Sequence, residues 1–157
     1  MALIDVRGMC RKKYKLLAKY VAEKVISLMN FPDNLEVAIN FVSKKEIKRL
    51  NREFRNIDKV TDVLSFPSFQ IDVGDVLDVN SQEVIPFKSQ SGFIHFGDMA
   101  LCLAKTKIQA KQFEVSVESE IKKLVIHSML HLMGYDHIKD SDFEIMEKEE
   151  KKLETLI

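Results

Sequence analysis

The segment His127-Ser128-Met129-Leu130-His131-Leu132-Met133-Gly134-Tyr135-Asp136-His137 constrains the fold more than any other stretch of the chain. It holds three of the four histidines in the spacing H-x-x-x-H-x-x-G-x-x-H. Residues 116–133 read as a helix, and residues four apart on a helix lie one turn apart on the same face. His127 and His131 can therefore share one ion. Gly134 accepts the left-handed backbone that ends a helix. The chain can then reverse and bring His137 back as a third ligand. The sequence thus predicts a helix–turn near the C-terminus with a metal site built on it.

Imidazole nitrogens suit zinc at about 2.0–2.1 Å, and copper, nickel and iron also accept them. One zinc ion per chain is the expected cofactor. Three protein ligands leave a fourth tetrahedral position for water or substrate, the pattern of a catalytic rather than a structural zinc site. A lone histidine on an apolar helix is usually a satisfied core residue. Two at this spacing, followed by glycine and a third, form a ligand set. His95 stands apart from the cluster and is expected to be structural. The same spacing occurs in metzincin proteases, where glutamate follows the first histidine and acts as general base. Here that position is Ser128, which cannot take a proton from water at neutral pH. Peptide hydrolysis loses its base.

Around this segment the chain alternates between strand and helix signals. Leu3–Val6 is a short apolar run, followed by Leu16, Leu17, Tyr20, Val21, Val25 and Leu28 at helical spacing. Phe31-Pro32-Asp33-Asn34 stops that helix. Leu35–Val42 alternates and is rich in branched residues, as a half-buried strand would be. Ser43 and Glu46 form a capping box for a helix carrying Ile47, Leu50 and Phe54 on one face and projecting Arg49, Arg52 and Arg55. Val63–Phe66 is a strand closed by Pro67. Residues 68–92 are polar and irregular, an excursion or a hairpin. Phe93–Leu103 resumes strand character. Helices are expected over about 104–113, 116–133 and from about Ser141 onward. The fold class is α+β, a small mixed sheet packed with about five helices in a single domain spanning residues 1–157.

A chain of 157 residues buries about two-thirds of its unfolded surface, enough for a substantial core. No apolar run reaches the roughly 18 residues that cross a bilayer, and no secretory signal opens the sequence. A cytoplasmic protein with no membrane partner is the expectation. Cys10 and Cys102 sit in no paired motif and read as inert thiols in a reducing compartment. Residues 1–60 carry 14 Lys/Arg and 7 Asp/Glu, whereas residues 61–157 carry 10 and 17. That asymmetry is compatible with a basic face for a polyanion and equally with solvated helix faces.

The histidine segment together with Thr61-Asp62-Val63-Leu64-Ser65-Phe66-Pro67 resembles the YbeY family of bacterial endoribonucleases and ribosomal RNA maturation factors. The resemblance runs from about Leu50 to Leu153. It includes Asn51, Phe54-Arg55, Asp58, Gly97-Asp98, Glu120, and Met146-Glu147 with Glu150. Phe54, Val60, Met99 and Ser128 stand where the family usually has Tyr, Pro, Ile and Gly. The resemblance implies single-strand-specific RNA cleavage in maturation of the 16S 3′ end and in ribosome quality control. Ribosomal RNA and the small subunit or its proteins would be the partners. His127, His131 and His137 would hold the metal, and Arg55 would join His127 and His131 as a catalytic residue by clamping phosphate oxygens. Asp62, Asp98 and Asp136 are candidates to orient a histidine from behind, and each could equally cap a turn or helix. Two other readings remain open: a non-catalytic assembly factor whose metal only stabilises the fold, and a metal-dependent hydrolase of another bond.

Overall fold

In the computed structural model, residues 1–75, 77–136 and 139–157 are described. The alternating segment forms strand β2 (Leu35–Phe41), with Leu35, Val37, Ile39 and Phe41 all buried on one face. Strands β1 (Leu3–Gly8), β3 (Val63–Pro67) and β4 (Ile94–Leu101) complete a sheet in the order β1-β2-β4-β3. β2 pairs in parallel with both β1 and β4, while β3 runs antiparallel to β4 at the edge. Parallel neighbours need crossover connections, and helix α1 (Lys12–Leu28) supplies the first of them. Helix α2 (Lys44–Arg55) and β3 both lie in the connection between β2 and β4. Helices α3 (Leu103–Gln112), α4 (Val117–Leu132) and α5 (Asp140–Leu156) follow the last strand. This is the mixed sheet with five helices that the sequence predicts.

The two faces of the sheet are covered differently. Met99 and Leu101 of β4 join the main core with α1 and α4. The intervening Ala100 turns to the other face, where Ile47 and Leu50 of α2 pack with Leu64 and Cys102. The buried face of α1 differs from the expected one. It consists of Tyr14, Ala18, Val21, Ala22, Val25 and Ile26, whereas Leu16, Tyr20 and Leu28 are 55%, 49% and 40% exposed. Small Ala18 and Ala22 let α1 lie close to α4, so closeness of packing rather than side-chain size decides which stripe is inside.

Ser43 Oγ accepts the Glu46 backbone N–H at 3.1 Å, but the capping box is only half formed. The Glu46 carboxylate is taken by Arg49 in two bonds of 2.7 and 3.0 Å, because a charged fork outcompetes a neutral amide. Residues 68–92 form an irregular excursion among those described, closed by a tight turn in which Lys88 makes a single antiparallel bridge to Ile94 and the Ser89 N–H donates to the Phe93 carbonyl at 2.7 Å. A turn of 3₁₀ helix at Ile85–Phe87 follows the buried Val84, and Phe69 meets both Phe87 and Phe96 with ring centroids 5.5 and 5.9 Å apart. β4 ends at Leu101 and α3 begins at Leu103, so the last strand is shorter than the apolar run suggests.

Helix α4 is polar in its first turns and largely buried beyond them, and it runs through the middle of the helical layer, against α1, α3, α5 and β3. Ser116 caps it, accepting the Ser119 N–H at 3.0 Å. Its C-terminal end can approach the sheet because β4 carries Gly97 there. A Cβ on Gly97 would lie 2.7 Å from Leu132 Cδ2 and 2.8 Å from the Phe66 carbonyl oxygen. Gly134, at φ +98°, ends the following turn, and any Cβ there would strike the Ile71 carbonyl. Both glycines therefore fix where the histidine turn sits relative to β3 and β4. Among the described residues no helix is long and apolar enough to cross a membrane. Cys102 is buried, and burial pushes the thiol of half-buried Cys10 up from its ordinary value.

Candidate active site

The C-terminal half of α4 borders a cleft of about 920 Å³ closed by α2, β3 and α5. Arg55, Asp62, His127, His131 and Asp136 all line it, so residues read from three separate stretches of sequence converge. His137 lies outside the described residues. Asp98 is elsewhere: its carboxylate is 2.9 Å from His95 Nε2 and does not line the cleft. It does orient a histidine, but His95 rather than one of the three expected ligands. Residues three apart on a regular strand face opposite ways. Here β2 pairs Glu36 with His95 and Val37 with Gly97, so Phe96 is an extra residue that shifts the phase and puts His95 and Asp98 on one side.

His127 and His131 are held from behind and meet in front. His127 Nδ1 lies 2.8 Å from Glu150 Oε1, and His131 Nδ1 lies 2.9 Å from the Tyr135 carbonyl oxygen. Acceptors at both Nδ1 atoms favour the tautomers that carry hydrogen there. The two Nε2 lone pairs then face one another at 3.1 Å, across rings 4.6 Å apart and nearly perpendicular. Two imidazole lone pairs at that separation are reconciled by a proton or by a cation between them. A histidine whose far nitrogen is tied to a carboxylate or backbone carbonyl is the usual support of a metal ligand. The donor chemistry thus fits a borderline-soft divalent ion, which His127 and His131 would hold. Among the described residues no group of three or more His, Cys, Asp or Glu side chains is gathered around one point.

Glu150 enters the sequence reading only through the family resemblance and with no role, although a signal for one exists. Met146 and Leu153 are the buried residues of α5, and Glu150 falls between them on the same stripe. A carboxylate at a core-facing position needs a partner. Here the partner is His127.

Arg55 is the last residue of α2, and Asn56 ends the helix in the left-handed conformation at φ 58°. Two contacts fix this end. Phe54 packs edge-on against Phe66 of β3 with centroids 5.2 Å apart. Buried Asn51 donates from Nδ2 to the Lys59 carbonyl at 2.9 Å, tying α2 to the loop that leads into β3. Arg49 is engaged by Glu46 and Glu53, and Arg52 stands 3.9 Å from Asp58. Among the described residues Arg55 has no carboxylate within ion-pair distance, so its charge faces the cleft unneutralised. Asp62 accepts the Val63 N–H at 2.7 Å and the Thr61 hydroxyl at 3.3 Å. It shapes the entry to β3 rather than orienting a histidine.

Ser128 is fully buried, its Oγ 2.7 Å from that of Ser65 on β3. The position after the first histidine therefore points into the α4–β3 interface and away from the cleft, where a protease base would have to stand. Glu120, two turns before His127 on α4, also borders the cleft. Burial raises its pKa above the ordinary 4.5; Lys123 opposes the shift, and Asp62 and Glu154 add to it.

The sequence profile described as Endoribonuclease YbeY matches residues 5–156. The chain belongs to the YbeY family. The match extends beyond Leu50–Leu153 and takes in β1, α1 and β2. Proteins named Endoribonuclease YbeY include one from Caldicellulosiruptor saccharolyticus, 37% identical over 88% of this chain and 87% of its own. Another, from Finegoldia magna, is 43% identical over 76% of this chain and 67% of its own. A solution structure of a Thermotoga maritima protein superposes with a TM-score of 0.63 at 28% identity, covering 97% of this chain and 87% of that one. Membership in the family supports an endoribonuclease role.

Proposed function

We propose that this chain is a metal-dependent endoribonuclease specific for single strands, acting in the cytoplasm on ribosomal RNA at the 16S 3′ end and in ribosome quality control. The ribosomal small subunit or its proteins would direct it to that site. The observation that carries the metal dependence is the pair of Nε2 atoms 3.1 Å apart with both Nδ1 atoms anchored. One zinc ion per chain is the proposed cofactor, held by His127 and His131 with His137 as third ligand. When bound, such an ion supplies Lewis-acid stabilisation of charge building on a phosphoryl oxygen.

The chain's own residues supply the rest. Arg55 presents a planar fork to two phosphate oxygens and stabilises the charge that grows on them in the transition state. Glu150 keeps His127 in one tautomer and one orientation. β3 forms a fixed wall against which the strand is laid.

Metal content, melting temperature and RNA cleavage should be measured on the wild type, His131→Ala and Arg55→Glu. Zinc added to stripped wild-type protein should raise the melting temperature, since a ligand of the folded state stabilises it by mass action. His131→Ala should lose both metal and cleavage. Arg55→Glu should keep the metal and lose cleavage by a factor on the order of 100 or more. Unchanged cleavage in both variants would sink the assignment. A folded His131→Ala that still cuts RNA while lacking metal would leave the ion a structural role only.

A further inference from the structure

Four residues lining the cleft take no part in holding the histidines or Arg55. They are Gln109 and Phe113 at the end of α3, and Glu120 and Lys123 on α4. Three of them, Phe113, Glu120 and Lys123, also line an adjoining hollow of about 310 Å³. The cleft therefore continues past them into a space of the size that small ligands fill.

Their states are unusual for residues serving the fold alone. Phe113 is 60% exposed, and Lys123 Nζ stands 5.5 Å from its ring centroid. Glu120 is only 4% exposed, yet among the described residues its carboxyl has no hydrogen bond. Gln109 Oε1 is buried and likewise has no partner. An exposed ring beside unbonded polar atoms and a cation leaves unmet the contacts that a planar, amine-bearing, phosphate-linked group would complete.

Resting on the RNA reading above, we infer that this end of the cleft is a subsite for one unpaired nucleobase. The base stacks on Phe113, an exocyclic amine on its edge is bonded by Gln109 and Glu120, and its phosphate lies beside Lys123. Stacking on an aromatic ring is how single strands are held without regard to most of their sequence. A base within a duplex is already stacked and cannot present its edge this way. Two acceptors on the edge favour bases with an exocyclic amine (cytosine, adenine or guanine) over uracil, which offers carbonyls there. The raised pKa of Glu120 is consistent with this, since a protonated carboxyl still offers its carbonyl oxygen. The lysine beside the ring adds attraction for the backbone.

The test is binding of fluorescent 2′-O-methyl hexamers of C, A and U to the full chain, followed by anisotropy. Wild type should bind the C and A hexamers more tightly than U. Phe113→Ala should weaken binding by about fivefold or more, and Phe113→Tyr, which keeps a stacking ring, should retain wild-type affinity. Gln109→Leu combined with Glu120→Gln should reduce the preference for C over U. If Phe113→Ala binds as tightly as wild type while Arg55→Glu has lost affinity, the subsite is wrong and the RNA reading survives. A Phe113→Tyr variant as weak as Phe113→Ala also overturns the subsite. If wild type binds none of the hexamers, both fall together.

Discussion

The two ring nitrogens of His127 have separate tasks: Nδ1 is fixed by Glu150, and Nε2 is thereby aimed at His131. The histidine pair and Arg55 were legible in the sequence because their signals are local, a four-residue spacing on one helix and a motif at the end of another. The role of Glu150 was not, because it reaches His127 only through packing of α5 on α4. Asp98 misled for a related reason. Its partner is set by a bulge that leaves no mark in the sequence beyond a glycine. Glu120 offers a test at this scale. Below its ordinary pKa of 4.5 the group is protonated in folded and unfolded chains alike, and its burial makes no pH-dependent contribution. As pH rises the unfolded chain ionises first, so stability falls until the folded group ionises as well. Urea unfolding between about pH 4 and about pH 7 should therefore show wild type losing stability relative to Glu120→Gln. Parallel curves for the two proteins would show that Glu120 ionises normally in the fold.

Among the elements, α4 governs the site, and its seating depends on what β4 lacks. Gly97→Ala would press a methyl group against Leu132 and the Phe66 carbonyl oxygen. Leu132 can rotate, but the backbone oxygen cannot leave its ladder. The expected loss is about 1–3 kcal/mol in denaturant unfolding, the usual range for overpacking. A change below about 0.5 kcal/mol, the level of an ordinary surface substitution, would mean the ladder yields freely. The strands and most helix boundaries were readable because alternation and helical spacing record which side is buried. What periodicity misjudged was the contact face of α1, where Ala18 and Ala22 lie inside and Leu16 outside. Large apolar residues draw the eye, but two helices come close where side chains are small. The half-formed box at Ser43 shows a similar competition, in which Arg49 claims the glutamate meant for the backbone.

For the whole molecule, strand order sets a sequence of events. β3 sits at the sheet edge and, among the described residues, pairs only with β4, which follows it in the chain and must itself be paired with β2. Until Ile94–Leu101 is in place, β3 has no ladder to join, and the entropy of closing that loop is uncompensated. Pulse-labelled hydrogen exchange during refolding should find β1 and β2 amides protected before those of β3; β3 protection appearing first would refute this order. The histidine turn waits longer still, since Glu150 lies on the last helix. A chain still emerging from its own ribosome would therefore carry Arg55 with no groove to place it in. On the proposed reading, the cleft can act on RNA only once α5 has been made and packed so that Glu150 meets His127.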